Sequence, residues 1–566
     1  MPPTARDTSR TNGTHPLDSL SVDEIRIASG AVRRARKTPL VFRNVFNIEP
    51  PKVELLPFLD AERAGFPDPD TPRPPRRACA QYDVIETDGD RYYMESTIDL
   101  ATGREIATKL LKTHQRAPFT TEEFQELIDN TLADPTFQRV VKDMELPQGW
   151  EVAIDPWPYG GSDFGSDYTA RLTQLFCFAR NMTIGNSDTN HYSYPLPFCV
   201  VMNTITKQVL RVERLATGGY GDVKTDVTVS HIKDGHPLPK RPTEHQGPAE
   251  YVSEMLEMPL RTDFKPLDVI QPQERAVVVR DRKLIIQFIL TLGNYEYIFA
   301  YHLDLAGGIY LEARPTGIMS PVAIDAGKTS PYGTVVGPGV LAQNHQHIFA
   351  VRIDAAVDGH ANTVTVEESL PMPMEPTRNP YGNGYRVEST TIKNSTYVDA
   401  APMRNRIIKI SNPSKKNPVS GRPVAYKFSP PATQLLLADP ASDIARRAKY
   451  AQHHVWVTRH ADYEYWAGGE FTNMSREEEG GCFDAAARQD SVENGDVVVW
   501  AVFGFTHSPR VEDWPVMPAE RFTLHLRPVD FFNSNPALDV PSKKNMASIL
   551  VDGERCSALA AAVPGK

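Results

Sequence analysis

Three histidines in this chain have the residue type and the spacing of a metal site. His345 and His347 are separated by one residue in an apolar segment, 344–354, that is typical of a strand. Because side chains two positions apart on a strand point to the same face, the two imidazoles are expected to lie side by side. His507 ends a second apolar segment, 497–507, and supplies a third imidazole. Three imidazoles that leave one coordination position open suit copper or zinc, and copper binds such ligands more tightly.

Tyr295 has unusual neighbours for a tyrosine in a sheet. The apolar segment 284–290 predicts a buried strand, and 298–303 predicts a second strand soon after it. Asn294 and Glu296 flank the tyrosine, where a simple core strand would have apolar residues. A tyrosine ladder on a half-buried sheet face would explain this pattern if it stood alone. The three histidines favour a chemical role for Tyr295 instead.

Together these segments resemble the copper-containing amine oxidases. The resemblance is carried by the motif Thr-Leu-Gly-Asn-Tyr-Glu-Tyr at 291–297, by the His-Gln-His at 345–347, and by Thr-His-Ser-Pro-Arg-Val-Glu-Asp-Trp-Pro-Val-Met at 506–517. It extends from about Leu20 to about Val540. Three separate motifs in the family's order make a chance match a poor explanation.

The resemblance implies a cofactor and its site. In the family, bound copper and oxygen convert the first tyrosine of the 291–297 motif to topaquinone, and that residue is Tyr295 here. Asn294 is the matching residue beside the cofactor. The copper ligands fall on His345, His347 and His507. The implied reaction converts a primary amine, oxygen and water to an aldehyde, ammonia and hydrogen peroxide, and the implied assembly is a homodimer.

A second, structural cation is also implied by the resemblance, and it is often calcium. Its ligands would be the carboxylates of Asp354 and Asp496 and the backbone carbonyls of Ala355 and Val497, since hard cations prefer oxygen. Two aspartates that cap strand ends explain the same residues equally well.

The chain departs from the family at the start of the predicted catalytic domain. In relatives, a long stretch with several core strands separates the segments that end here at Gln273 and begin here at Arg280. That stretch contains the aspartate that acts as catalytic base, so we assign no base, and we interpret Asp281 as a charged residue at the start of a strand. Losing internal strands is expected to expose apolar faces and an unpaired sheet edge. Either the protein is a shortened variant or the gene model omits coding sequence, and the second interpretation is favoured.

The predicted fold is α+β and mainly β, with two small α+β domains followed by a large antiparallel β-sandwich that is truncated. Each small domain begins with a helix at a capping box, Ser21 to Glu24 and Thr120 to Glu123. In the family, two such units precede the catalytic domain and are not catalytic. The predicted divisions are a tail, two small domains, a linker, the catalytic domain and a C-terminal tail, at 1–19, 20–112, 113–235, 236–263, 264–545 and 546–566.

Composition limits the partners. The net charge is −10 over 566 residues, so neither nucleic acid nor an anionic membrane is an expected partner. The first 19 residues lack the apolar core of a secretory signal, and the five cysteines are scattered. An intracellular location, cytoplasmic or peroxisomal, is therefore expected.

Two alternatives to an active oxidase stay open. The first is a dimeric copper-binding homologue that kept Tyr295 and the histidines but lost the catalytic base. The second is an unrelated three-histidine metal oxygenase with a barrel fold. Quinone formation from Tyr295 would separate the second alternative from the family, and turnover of an amine would separate the first.

Overall fold

The computed structural model of the chain describes residues 15–65, 71–87, 91–112, 114–159, 171–183, 190–218, 282–472 and 479–536. The predicted linker at 236–263 and the C-terminal tail at 546–566 lie outside the described residues. The mainly β class is confirmed, because the described residues form five antiparallel sheets and only short helices. No helix among them is long and apolar enough to cross a membrane.

The first small unit packs one helix on a four-stranded sheet. Helix α1 (Val22–Ala35) begins at the predicted capping box, in which Ser21 and Glu24 each accept the other's backbone N–H. Ala28, Ala31 and Val32 of this helix pack against the buried face of the sheet. A second helix, α2 (Lys52–Arg63), follows the first strand. The strands, in sheet order, are β1 (Leu40–Ile48), β2 (Arg77–Ile85), β3 (Arg91–Asp99) and β4 (Arg104–Leu110).

The second small unit repeats this plan. Helix α3 (Thr121–Ala133) begins at the second predicted capping box, from Thr120 to Glu123, and α4 (Pro135–Asp143) follows it. Leu127 of α3 and Phe137 of α4 are buried against the sheet. The strands, in sheet order, are β5 (Trp150–Pro158), β6 (Leu172–Asn181), β7 (Pro195–Asn203) and β8 (Gln208–Arg214).

Helices α2 and α4 are not predicted from the sequence. Pro50 and Pro51 indicate only that β1 has ended, yet proline is well tolerated at a helix start, where its missing N–H costs nothing. Pro135 occupies the same kind of position in α4, directly after Asp134, whose carboxylate accepts two backbone N–H groups.

The third unit is the predicted sandwich. The strands are β9 (Lys283–Leu292), β10 (Tyr295–Asp304), β11 (Ile309–Gly317), β12 (Pro321–Ala323), β13 (Gly333–Gly337), β14 (Val340–Gln343), β15 (His345–Asp354), β16 (Thr363–Pro371), β17 (Tyr385–Thr391), β18 (Thr396–Val398), β19 (Ile407–Lys416), β20 (Pro423–Phe428), β21 (Val455–Arg459), β22 (Val497–His507) and β23 (Phe522–Val529). The largest sheet has eight strands in the order β17-β16-β19-β20-β23-β11-β10-β9. A four-stranded sheet, β15-β22-β21-β18, packs on it, and a third, small sheet has the order β12-β14-β13. The helices are α5 (Asp443–Arg447) and α6 (Gly481–Ala487).

One core joins the two large sheets. Leu311, Ile408 and Leu524 of the eight-stranded sheet and Val499 and Phe503 of the four-stranded sheet belong to the same buried cluster. Interdigitation of two inner faces is the packing expected of a sandwich. This core fixes the distance between β10, which carries Tyr295, and β15 and β22, which carry the three histidines.

The prediction that segment 284–290 is a buried strand was wrong. The segment forms β9, but every residue of β9 is exposed. Among the described strands, β9 pairs only with β10 and stands at the sheet edge. Apolar side chains on both faces of one strand indicate a strand that is covered on both sides. The exposed edge and the apolar faces agree with the expectation that internal strands of the family sheet are missing.

Candidate metal centre

A tight turn places Tyr295 in the centre. Strands β9 and β10 are joined by the two residues Gly293 and Asn294, and Gly293 has a φ of +61°, in the left-handed region. A Cβ at this glycine would lie 2.6 Å from the indole of Trp157, from the second small unit. The Asn294 side-chain amide donates to the carbonyl of Ile318 at 2.7 Å. Tyr295, at the first position of β10, is 4% exposed.

Strand pairing brings the histidines together. In the antiparallel pair β15 and β22, His345 lies directly opposite His507. His347 follows two residues later on the same face, and its ring centroid lies 4.7 Å from that of His345. One ligand nitrogen from each of the three residues lies within 4.8 Å of the other two. The sequence pattern predicted the His345 and His347 pair, and the sheet register brings His507 to it.

In each imidazole, one nitrogen contacts a partner outside the histidine cluster and the other nitrogen faces the other two histidines. His347 Nδ1 lies 2.8 Å from the hydroxyl of Tyr297, and His507 Nε2 lies 3.0 Å from Asp513 Oδ2. Their other nitrogens, His347 Nε2 and His507 Nδ1, are buried and have no hydrogen-bond partner among the described residues. Buried polar atoms are normally paired, so two orphaned nitrogens side by side fit a metal ion.

The third imidazole connects the cluster to the tyrosine. His345 Nδ1 donates to the backbone carbonyl of Gln343 at 2.7 Å, which leaves the lone pair on Nε2. The Tyr295 hydroxyl lies 2.6 Å from that Nε2. Tyr295 therefore stands beside the position at which a metal ion would complete the three-nitrogen set.

Burial prepares these groups to bind a metal. It lowers the pKa of His345, and it lowers the pKa of His347 to about 3 with a further contribution from the neighbouring histidines. Both imidazoles are therefore neutral in neutral solution, as metal ligands must be. Burial also raises the pKa of Tyr295 well above its usual value, so the phenol keeps its proton until a metal or another charge acts on it.

Asp513 adds a negative charge behind His507. Burial raises the pKa of this carboxyl, but hydrogen bonds from Arg510 and His507 outweigh burial and hold it at about 2. A carboxylate that accepts from the far nitrogen of a histidine fixes the ring's tautomer and makes it a stronger ligand. Tyr297 lies in the 291–297 motif and Asp513 in the 506–517 motif. No local pattern indicates that either residue contacts a histidine.

The residues predicted for a second cation contact a lysine. The side-chain amine of Lys52 lies 2.6 Å from Asp354 Oδ1 and 2.7 Å from Asp496 Oδ1. Ala355 and Val497, whose carbonyls were predicted to complete the site, are buried beside them. Lys52 belongs to α2 of the first small unit and was not part of the prediction.

No catalytic base is identified in the described part of the chain. There, the hydroxyl of Tyr295 hydrogen-bonds to His345, and no carboxylate hydrogen-bonds to it. Asp281 lies outside the described residues.

Comparison with known proteins identifies the family. Family models for "Copper amine oxidase, enzyme domain" and "Copper amine oxidase, N3 domain" match residues 267–547 and 122–226. A copper amine oxidase of Aspergillus niger is 40% identical, with 96% of this chain and 99% of that protein aligned. The chain belongs to the copper amine oxidase family. Other relatives align over shorter lengths: histamine oxidase of Arthrobacter globiformis is 40% identical, with 47% of this chain and 38% of that protein aligned.

Solved structures of amine oxidases share the fold. A copper-containing benzylamine oxidase from Hansenula polymorpha superposes with a TM-score of 0.81 at 28% identity, covering 93% of this chain and all of that one. An Aspergillus nidulans amine oxidase shares the fold at a TM-score of 0.64. The alignment with the Aspergillus niger copper amine oxidase spans 678 positions, although this chain has 566 residues. Parts of that relative therefore have no counterpart here.

Proposed function

We propose that this chain is a copper-dependent primary-amine oxidase whose quinone cofactor forms from Tyr295. The observation that carries the proposal is the 2.6 Å contact between the Tyr295 hydroxyl and His345 Nε2 at the edge of the three-histidine cluster. The tyrosine that the family modifies and the ligands that the family uses thus meet at one point of the fold.

The chain's own nitrogens define where copper would bind. His345 Nε2, His347 Nε2 and His507 Nδ1 face the cluster, because the opposite nitrogen of each ring contacts Gln343, Tyr297 or Asp513. Copper bound by these nitrogens would supply the redox chemistry with which oxygen converts Tyr295 to the quinone, and the quinone would supply the carbonyl electrophile for an amine. Tyr297 and Asp513 would hold the rings in the ligating orientation.

Calcium is not part of this proposal, because the two carboxylates predicted for it contact Lys52.

The second candidate is a homologue that binds copper and forms the quinone but turns over amines poorly. The exposed faces of β9 and the absence of an assigned base in the described residues favour it. Removal of a proton from the substrate by a positioned base contributes about 10²- to 10⁴-fold to rates of this kind. A chain without that base would keep the cofactor and lose most of the turnover.

A homodimer is also proposed. The connection between β16 and β17 exposes Met374 (76%) and Tyr381 (86%), and Tyr385 (69%) is exposed at the start of β17. Tyrosine and methionine are enriched in protein interfaces, so this exposed hairpin is the proposed contact between two copies. Light scattering of the purified chain at low protein concentration should give the mass of two copies.

The decisive experiment adds copper and then oxygen to the purified, metal-free full-length chain, followed by phenylhydrazine. We expect a coloured adduct that peptide mapping places on Tyr295. Peroxide release with benzylamine and histamine, the amines that name two relatives, then measures turnover. An adduct with turnover supports the oxidase, and an adduct without turnover supports the impaired homologue. No adduct at stoichiometric copper would contradict both.

Substitution of the ligand and of the cofactor residue should have separate effects. His507→Ala leaves two imidazoles, so we expect weaker copper binding and an unmodified Tyr295. Tyr295→Phe should still bind copper but form no quinone. His360→Ala, at a histidine outside the cluster, is the matched control. Copper content by mass spectrometry and adduct absorbance are the readouts, and quinone formation at the wild-type rate in His507→Ala would refute the ligand assignment.

A further inference from the structure

Lys52 reaches from one structural unit into another. It is the first residue of α2 in the first small unit, and its Nζ lies between two carboxylates at the edge of the sandwich. The distances are 2.6 Å to Asp354 Oδ1, 2.7 Å to Asp496 Oδ1 and 2.9 Å to Asp496 Oδ2. Asp354 ends β15, and Asp496 directly precedes β22. The ammonium thus joins the ends of the two strands that carry the histidines to the small unit.

The backbone holds this lysine in place. The Lys52 N–H donates to Asp462 Oδ1 at 3.0 Å, so both ends of the residue contact the sandwich. Pro50 and Pro51 precede it and restrict the backbone just before the helix. The side chain of Lys52 is 18% exposed. A lysine that is tethered at its backbone and largely covered differs from a surface lysine that contacts an acid by chance.

The local charges balance without a metal ion. Arg352 Nη1 lies 3.2 Å from Asp354 Oδ2, the carboxylate oxygen farther from the lysine. His460 also lies beside the pair, with its Nε2 3.6 Å from Asp354 Oδ2 and its Nδ1 3.6 Å from Asp496 Oδ2. Two carboxylates therefore face two permanent cations, Lys52 and Arg352. A calcium ion would add two positive charges within a few ångströms of both.

A calcium ion would also lack ligands. It takes 6 to 8 oxygens, whereas an ammonium needs three acceptors, and Lys52 Nζ has three carboxylate contacts here. The four carboxylate oxygens that would bind calcium are already engaged by Lys52 and Arg352. The residues present therefore fit the lysine and do not fit the implied metal.

We propose that the Lys52 ammonium is the resident cation of this acidic pair, that it ties the first small unit to the sandwich, and that the chain binds no second metal ion there. The ammonium performs the structural role that a divalent cation would otherwise have. It neutralises two carboxylates at adjacent strand ends and holds these ends together.

The test uses the full-length, copper-loaded chain. Calcium content is measured by mass spectrometry after dialysis against micromolar calcium, and calcium binding is measured by titration calorimetry. The variants are Lys52→Met, which keeps the length of the side chain and removes the charge, and the double variant Lys52→Met/Asp354→Asn. Lys415→Met, at an exposed lysine, is the matched control.

We expect the wild-type chain and Lys415→Met to bind no calcium. Lys52→Met should gain one weak site per chain, with a Kd of about 10⁻⁴ to 10⁻³ M, because its carboxylates become free. The double variant should lose that site. Calcium should raise the unfolding midpoint of Lys52→Met and leave that of the wild type unchanged.

The proposal would be overturned if the dialysed wild type contained stoichiometric calcium. It would also be overturned if EGTA lowered the unfolding midpoint of the wild type. A folded Lys52→Met variant that binds no more calcium than the wild type would overturn it as well. Copper content and the phenylhydrazine adduct are measured on the same samples. They report on the proposed oxidase function independently, so either proposal can fail without the other.

Discussion

At the scale of single residues, the candidate centre depends on which nitrogen of each histidine is occupied. Gln343, Tyr297 and Asp513 each contact one nitrogen of a different histidine, so the other nitrogen of each ring faces the cluster. Of the three partners, Asp513 is the only one that carries a charge. It is 2% exposed, so its charge acts on His507 with little screening by water.

Asp513→Asn should weaken copper binding. The amide cannot supply the negative charge, and its NH₂ group can donate where the carboxylate only accepts, so the tautomer of His507 is no longer fixed. Loss of such an outer partner typically costs about 10- to 100-fold in metal affinity. Competition with a copper chelator measures the affinity. Glu512→Gln, at the exposed neighbouring residue, should leave it unchanged, and equal affinities in both variants would count against a role for Asp513.

At the scale of elements, the turn between β9 and β10 decides where Tyr295 stands. Gly293 combines a positive φ with a close approach of the Trp157 ring. The second small unit therefore contacts the turn that precedes Tyr295. A unit that supplies none of the candidate ligands thus contributes to the geometry of the site.

Gly293→Ala should disturb both stability and quinone formation. A left-handed backbone costs a residue with a Cβ about 1–2 kcal/mol, and here the new Cβ would also meet the indole at 2.6 Å. Gly421→Ala is the matched control, because Gly421 has a φ of +70° and a methyl group added there would have nothing within 4 Å. Urea unfolding should show a larger loss of unfolding free energy for Gly293→Ala than for Gly421→Ala. Slower adduct formation is expected only in Gly293→Ala.

The joint between the two small units is a buried ion network. Arg43 of β1 contacts Asp83 of β2 and Glu123 of α3, and Arg171 donates to Glu123 at 2.8 Å. Burial raises the pKa of Glu123, but hydrogen bonds from the two arginines outweigh it and hold the pKa at about 2. Removing one member of such a network would leave the others buried and unpaired.

This network makes the joint sensitive to acid. The folded-state pKa of Glu123 is lowered, so the carboxylate stabilises the folded protein. This contribution to the free energy of unfolding is complete above the unfolded-state pKa of about 4.3 and is lost as the pH falls towards about 2. The midpoint of wild-type urea unfolding should therefore fall as the pH is lowered from about 4.3 towards about 2. The Glu123→Gln variant should be less stable at neutral pH, and its urea midpoint should fall less over that pH range. Glu122→Gln, at an exposed residue, should follow the wild type, and a parallel fall in Glu123→Gln would exclude this cause.

At the scale of the whole molecule, the main liability is β9. Its side chains are exposed on both faces, among them Leu284 (61%), Ile285 (53%) and Ile289 (55%). An unpaired apolar edge is a template for pairing with another chain. The chain as it stands should therefore associate beyond the proposed dimer.

Lysines on the outer face of β9 should suppress that association. Ile285→Lys/Ile289→Lys places two charges on one face of the edge strand, opposite to the face that carries Phe288 against Phe299. We expect less high-mass material in light scattering as concentration rises, with the dimer and the copper content retained. Met403→Lys, at a residue that is 96% exposed outside this strand, is the control. Identical association in both variants would rule out β9 as the cause.

The sequence by itself determined the features that depend on near neighbours in the chain. The capping boxes at Ser21 and Thr120 start helices as predicted, because their hydrogen bonds span three residues. The placement of His345 and His347 on one face needs only the geometry of a strand. Recognition of the family rested on three motifs, each short enough to be identified without the fold.

The tertiary structure decided everything that depends on distant partners. The register that sets His345 opposite His507 joins residues that are far apart in the chain, and no local pattern fixes it. The burial of β9 was predicted wrongly. An apolar segment is buried only if a neighbouring strand or sheet covers it, and the segment's own sequence does not show whether that neighbour is present. Lys52 carries no sequence signal of its role, since its partners at 354 and 496 lie in another unit. Charge pairing across units is a property of the assembled fold.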